Sequence, residues 1–276
     1  MQQRPDYGID SPAMVAGELI LSGAGFATAA ILYARRAPRP FGIPLWAVSL
    51  VVAAYLLLMA GGMLFYSVIG KRAIRDWLLD QVPWRGDEVV LDVGCGRGLL
   101  LVGAARRLTS GKAIGVDAWI RGAVSGNRPA AALRNARLAG VSERVTVRDG
   151  DARRLPCADA SVDVVVCNFV LHEMDTRTDR ELMLSEIARV LRPGGHVALV
   201  DFIFTGEAVR LLRAGGVGDA RRVRAGWVSF WSFALVTLGL GQLYLVTGTK
   251  APAMPALPRY PALPLHDTLS VPNPPS

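Results

Sequence analysis

The stretch VLDVGCGRG, residues 90–98, reads as a buried strand that runs straight into a glycine turn and then a helix. Gly94, Gly96 and Gly98 stand at every second position, and glycine lets a backbone turn tightly and come close to a ligand. The spacing is Gly-x-Gly-x-Gly, which leaves the third glycine one residue short of the dinucleotide fingerprint. Asp92 precedes the turn by two residues. A dinucleotide site has no need of a carboxylate there, whereas a ligand that carries an ammonium group does.

Around this stretch, strand-like and helix-like runs alternate. EVVLDV (88–93) is the first strand and GLLLVGAARRL (98–108) the helix after the turn. AIGVD (113–117) follows as a strand, then RPAAALRNARLAG (128–140) as a helix with Asn127 as its expected cap and Pro129 in its first turn. RVTVRDGD (144–151) and VDVVVCNFV (162–170) are strands. DRELMLSEIARVLR (179–192) is a helix ended by Pro193-Gly194-Gly195, and HVALVDF (196–202) is a strand. This order predicts an α/β protein with a mainly parallel, doubly wound sheet.

Upstream the composition changes. Residues 11–34 are apolar apart from Glu18, the basic turn RRAPRP follows, and residues 41–70 contain no charge. Each apolar stretch is long enough to cross a bilayer core of about 30 Å as a helix. A two-helix membrane hairpin is expected, with helices over about 12–34 and 42–69. An amphipathic surface helix or an uncleaved signal-like segment is the alternative for the first stretch. Arg35, Arg36 and Arg39 in the loop balance Lys71, Arg72 and Arg75 after the second stretch, so basic residues alone do not set the orientation. KRAIRDWLLDQV (71–82) carries Ile74, Trp77, Leu78 and Val82 at helical spacing and is expected as an amphipathic linker helix over 71–88. Its apolar face suits packing on the next domain, and its basic residues suit anionic headgroups.

The whole chain has 276 residues, 51% of them hydrophobic, and a net charge of +8. Basicity fits nucleic acid or an anionic membrane surface, but the basic residues are spread along the chain without aromatic interleaving, so nucleic acid is not expected as a partner. The three cysteines, Cys95, Cys157 and Cys167, form no Cys-x-x-Cys pair, and there are three histidines in all. Neither a structural zinc nor a disulfide framework is expected, and no metal site.

With these residues in place the chain resembles the class I S-adenosylmethionine-dependent methyltransferases, in particular their small-molecule branch. Asp92-x-Gly94-x-Gly96-x-Gly98 is similar to their first motif. GVD (115–117), GDARRLP (150–156) and EIARVLRPGGHVALVDF (186–202) fall in register with three further landmarks. The resemblance is firm over about residues 85–204. It implies a Rossmann-like seven-stranded sheet, mostly parallel with the last strand antiparallel, over residues 89–250, and S-adenosyl-L-methionine as cofactor. It also implies roles. Asp92 and the turn Gly94, Cys95, Gly96 and Gly98 would face the methionine portion. Asp117 with Ala118 would hold the ribose, and Asp151 with Ala152 the adenine. Asn168 would stand where the methyl group points. His172 and Glu173, in the crevice past the fourth strand, are the candidate catalytic pair, with His172 a general base or an element that shapes the site. Trp119 is a stacking candidate for the adenosine. Ser125-Gly126-Asn127 is expected to cap the next helix or to reach the ribose.

The resemblance also bears on the run between Arg224 and Lys250, which contains no charge and is long enough for a third span. The class I fold instead needs GEAVRLLRAGG (206–216) as a helix, DARRVRAGWV (219–228) as the sixth strand, and QLYLVTGTK (242–250) as a seventh inserted between the fifth and sixth. A span would remove that strand and bare a sheet edge. The intervening FWSFALVTLGLG (230–241) is then an apolar loop expected to meet the membrane interface. Residues 251–276 hold eight prolines, five of them at every third position, and are expected to form a disordered tail.

The fourth strand ends in Asn168-Phe169-Val170-Leu171 and lacks the Asn-Pro-Pro-Tyr type motif of nucleobase and glutamine methylation. Arsenite methylation would need acceptor thiolates, for which Cys157 and Cys167 qualify by element only. The N-terminal signature of the soluble quinone methyltransferases is missing as well. The expected activity is methyl transfer to a lipophilic or membrane-associated small molecule, such as a quinone, an isoprenoid, a lipid headgroup or an amine, by a domain that faces the cytoplasm. The alternatives are a membrane-anchored scaffold or sensor that binds the cofactor without turnover and, further off, a nucleic-acid or protein methyltransferase.

Overall fold

The computed structural model describes residues 4–36, 43–120, 122–226 and 242–252. Strands β1 (Val89–Val93), β2 (Lys112–Asp117), β3 (Val145–Asp149), β4 (Val162–Asn168), β5 (Leu191–Asp201), β6 (Arg221–Arg224) and β7 (Tyr244–Thr249) form one seven-stranded sheet in the order β3-β2-β1-β4-β5-β7-β6. The pairs among β1 to β5 are parallel. β7 runs antiparallel to both β5 and β6 and lies between them, as the class I resemblance implies.

β1 and β4 read as near-continuous apolar runs because helices cover both faces of the sheet. α3 (Lys71–Leu79), α4 (Leu99–Ala105) and α5 (Pro129–Leu138) cover one face, where Ile74, Leu78, Leu101 and Val166 are buried together. α6 (Arg177–Val190) and α7 (Thr205–Ala214) cover the other, around Leu91, Met183, Ile187 and Leu212. A capping box starts α6: Asp179 N–H donates to Thr176 Oγ1 (3.1 Å), and Thr176 N–H donates to Asp179 Oδ2 (3.2 Å). The helix ends at Val190. Pro193-Gly194-Gly195 is therefore not its stop but the kinked start of β5, where the pairing with β4 shifts register between Val162 and Val164.

Two further expectations change. The cap position of α5 is Arg128, with no side-chain capping bond, because the Asn127 amide turns toward Asp117 instead. α3 is a core helix more than a linker, since Ile74, Leu78 and Leu79 are fully buried. Of its three basic residues, Lys71 is buried and Arg75 pairs with Asp76, which leaves Arg72 as the exposed one.

Ahead of α3 come α1 (Pro12–Ala34) and α2 (Leu45–Phe65), the latter continuing through a π-helical turn, Tyr66–Gly70, into α3. α1 and α2 pack antiparallel. Ser22 Oγ donates to Ala53 O (2.8 Å), and Ser49 Oγ donates to Gly25 O (2.9 Å). Both helices are long and apolar enough to cross a membrane. The expected apolar loop at 230–241 lies outside the described residues, and so does the proline-rich tail beyond Pro252.

Candidate functional site

The carboxyl ends of β1, β2 and β4 open into a cavity of about 480 Å³. This crevice is where open α/β sheets bind ligands. Its floor is the turn after β1. Gly94, Gly96 and Gly98 all have positive φ (70°, 51° and 83°), a conformation that β-carbons resist. At Gly94 a β-carbon would also stand 2.2 Å from Val170 Cγ2, so the turn is pressed against the end of β4. At Gly96 no atom of the described residues lies within 4 Å of where a β-carbon would stand, which leaves open space on the cavity side. Gly98 departs from expectation: it starts α4 against Ala132 and does not line the cavity.

Asp92 lines the cavity but is only 1% exposed. Its Oδ2 accepts Leu101 N–H (2.8 Å), and it forms no ion pair among the described residues. Burial drives its pKa well above the usual carboxylate value, against the Leu101 hydrogen bond, and the nearby Asp117 adds to the rise. A buried carboxylate held by one amide gains from a cation placed beside it. The ammonium or sulfonium of S-adenosylmethionine has the charge this place lacks.

Asp117 ends β2. Its Oδ2 accepts Gly96 N–H (2.7 Å) and ties the glycine turn to the second strand, while Oδ1 accepts Trp119 N–H (2.6 Å) and faces the Asn127 amide (3.4 Å). Ala118 lies beside it on the wall. Trp119 does not line the cavity. Its indole N–H donates to Asp149 Oδ1 (2.6 Å), and Ile120 takes the wall position instead. Asp151 and Ala152 line the cavity past β3. The Arg153 side chain donates to both Asp151 oxygens and holds that carboxyl below its ordinary pKa.

Across from these, Asn168 ends β4 with Oδ1 buried and without a hydrogen-bond partner among the described residues, and Asn127 Oδ1 is in the same condition. Two orphaned acceptors on one cavity are places for ligand N–H or O–H donors. With the open space at Gly96 and an Asp92 carboxyl that has no cation partner among the described residues, the residues present fit S-adenosylmethionine.

His172 sits on a short turn, Leu171–Glu173, next to Asn168. Asp201, at the end of β5 and fully buried, accepts from the His172 backbone N–H (3.2 Å) and faces its ring Nδ1 (3.2 Å) through one oxygen, Oδ2. Glu173 Oε1 lies 3.3 Å from Nε2. Burial works to lower the His172 pKa, but the two carboxylates outweigh it and the pKa stands above its ordinary value. Phe202 (ring centroids 4.8 Å apart) and Phe169 (5.9 Å) flank the imidazole, and Tyr66 packs edge-on to Phe169 (5.9 Å). Among the described residues no cluster of three or more His, Cys, Asp or Glu is arranged to hold a metal.

Asp201 and Tyr66 were not singled out from sequence, nor were Tyr7, Asp10, Ser11, Met14 and Met63 from the N-terminal segment and the hairpin base, all on this cavity except Asp201. An acidic residue closing the β5 run ALVD was a readable signal. The N-terminal residues gave none, because they reach the site only through tertiary packing.

Residues 91–199 match the family model of a methyltransferase domain. The chain is 37% identical over 152 residues, 55% of its length, to the 27-O-demethylrifamycin SV methyltransferase of Amycolatopsis mediterranei, and spans half of that relative. It is 34% identical over 156 residues to an uncharacterised methyltransferase of Mycobacterium tuberculosis, and that match covers 71% of the relative. Among solved structures it superposes on the [4+2]-cyclase SpnF with a TM-score of 0.51 and 22% identity, over 66% of this chain and 82% of that one, a likeness of fold.

Proposed function

The chain belongs to the family of S-adenosylmethionine-dependent methyltransferases, and we propose that it methylates a lipophilic small molecule that meets it at a membrane. The observation that carries this reading is the continuity of the cavity. One end is the glycine turn with Asp92 and Asp117, and the other is the base of the apolar hairpin, at Met14, Met63 and Tyr66. The outer faces of both helices are bare apolar surface, with Ile20 71% and Val51 68% exposed. A helix in the core of a soluble protein hides such residues, and a bilayer covers them. The rifamycin relative is named for a small-molecule acceptor, which supports the same substrate class.

Residues 1–70 act as the anchor, 89–250 as the catalytic unit facing the cytoplasm, where the cofactor is made, and 251–276 as a tail. When bound, S-adenosylmethionine supplies a methyl group activated by its sulfonium. Asp92 and the Gly94–Gly98 turn hold the cationic methionine end. Asp117 and Ala118 would hold the ribose and Asp151 and Ala152 the adenine edge, with Asn168 on the wall toward the acceptor. Holding donor and acceptor in line provides most of the acceleration in such a displacement. Tyr66, Phe169 and Phe202 give the acceptor an aromatic wall. His172, oriented by Asp201, takes a proton where the acceptor must lose one.

The test is to incubate the purified full chain with methyl-labelled cofactor and a membrane lipid extract. Label in the organic phase is expected. Label confined to protein or RNA sinks the lipophilic-acceptor reading. Cofactor binding without any labelled product from a broad lipid panel favours a binding scaffold instead.

A further inference from the structure

The cavity has a wall that lies outside the matched family region. Residues Asp6–Ser11 line one side of it as an irregular segment that turns at Gly8 (φ 75°) and at Ser11 (φ 45°). They pair with the loop after β2: Ser11 N–H donates to Ala123 O (2.8 Å), Ser125 N–H donates to Ile9 O (2.8 Å), and Asp10 bridges to Val124 between them. Tyr7, Asp10 and Ser11 face the cavity.

Two cations hold this strap. Lys71, 3% exposed, donates from Nζ to Tyr7 O (2.9 Å), Gly8 O (2.6 Å) and Asp10 Oδ2 (2.9 Å). Its three donors therefore all reach strap acceptors, an expensive burial that only a closed strap compensates. Arg97, inside the glycine turn between Gly96 and Gly98, donates to Asp6 O (3.0 Å), Asp6 Oδ2 (2.7 Å) and Ser125 O (2.7 Å). Ser67, in the π-helical turn below α2, adds a bond to Asp10 Oδ2 (3.0 Å). The strap is thus gripped from the cofactor turn on one side and from the foot of the apolar hairpin on the other, and it leads directly into α1.

We propose that Asp6–Ser11 forms the outer wall of the cofactor site, with Lys71 and Arg97 as its positioning residues, so that cofactor entry and exit require the strap to lift from the foot of the hairpin. This rests on the cofactor reading given above. It also makes the anchor and the cofactor site one unit, because removing the hairpin strips the wall.

The experiment uses the full chain in detergent or nanodiscs with S-adenosylhomocysteine as the probe. Cysteines replace the facing pair, Asp10→Cys with Val124→Cys, and probe dissociation is followed in the reduced and oxidised states of the same protein. Asp10→Cys deletes the carboxylate that Lys71 and Ser67 hold, so the reduced pair is expected to release the probe faster than wild type. Oxidation pins the strap and is expected to slow release at least tenfold relative to the reduced state. Equal rates in the two states, with the cross-link confirmed by mass, overturn the proposal. As a second variant, Lys71→Met is expected to raise the probe's Kd at least tenfold, and an unchanged Kd counts against the latch. If the wild-type chain binds no probe at all, the cofactor reading falls first and the strap proposal falls with it. Binding that ignores the strap's state overturns the strap proposal alone.

Discussion

Asp201 Oδ2 holds His172 at two points, the backbone N–H and the ring Nδ1, both at 3.2 Å. A carboxylate so placed fixes the ring orientation and leaves Nε2 toward the cavity and Glu173. The neutral imidazole is the form that accepts a proton. Its pKa is raised above the ordinary value, so activity is expected to fall as pH drops through a point above about 6.5. Asp201→Asn removes a cause of the rise. Its acid limb should move to lower pH, and kcat should fall by about 10–100-fold with KM nearly unchanged. A pH–rate profile that Asp201→Asn leaves in place assigns His172 to shaping the site.

The cofactor role proposed for Asp92 comes at a cost in stability. Burial raises its folded-state pKa, so the stability it lends is fully present below the unfolded value and is lost as pH rises through the folded one. At neutral pH the buried group therefore costs stability in the free protein. Asp92→Asn is expected to raise the melting temperature of the free protein by roughly a few degrees at pH 7, by less near pH 4, and to weaken cofactor binding by about 10–100-fold. Differential scanning fluorimetry with and without S-adenosylhomocysteine reads both. A variant that melts lower and binds normally contradicts this account.

The glycine turn offers a matched pair. Gly96→Ala meets no atom within 4 Å, so its cost to the free fold is the left-handed backbone alone, roughly 1–2 kcal/mol. Cofactor affinity should fall much further than stability. Gly94→Ala adds a 2.2 Å collision with Val170 Cγ2 to the same backbone penalty and should destabilise the free protein more than Gly96→Ala does. Thermal melts and probe titrations on both variants give the ranking, and equal melts refute it.

The hairpin makes its own prediction. In membrane fractions of expressing cells the full chain is expected to resist alkaline carbonate extraction, as integral proteins do. Full release into the supernatant would remove the anchor from the proposed function.

Much of the fold and of the site is legible in the sequence. VLDVGCGRG placed the first strand and the turn because backbone geometry and residue type are tied there one to one. The parallel strands were readable because burial on both faces demands continuous apolar runs such as Val164–Cys167. The insertion of β7 followed from the family resemblance and not from its own sequence. Misreadings fell where local pattern and tertiary contact compete. Asn127 carries a capping residue's chemistry, but Asp117 claims its amide. Trp119 stands at the right place in the chain for stacking, but Asp149 holds its indole at the rim. Lys71 looked like a surface cation because nothing nearby in sequence announces Tyr7, Gly8 and Asp10 as its partners.

The sheet's strand order also dictates when the protein can finish folding. β5 emerges from the ribosome well before its neighbour β7, and β6 has no partner in the sheet until β7 arrives to separate and join the two. Lys250, just beyond β7, then donates to Ala188 O and Leu191 O and secures the end of α6. The apolar hairpin is complete some 170 residues earlier in synthesis. If it inserts as it emerges, the nascent enzyme spends that interval tethered with an open sheet edge, a state in which strand pairing with neighbours competes with completion. Messages truncated before residue 242 should therefore yield membrane-bound aggregates and no soluble fragments.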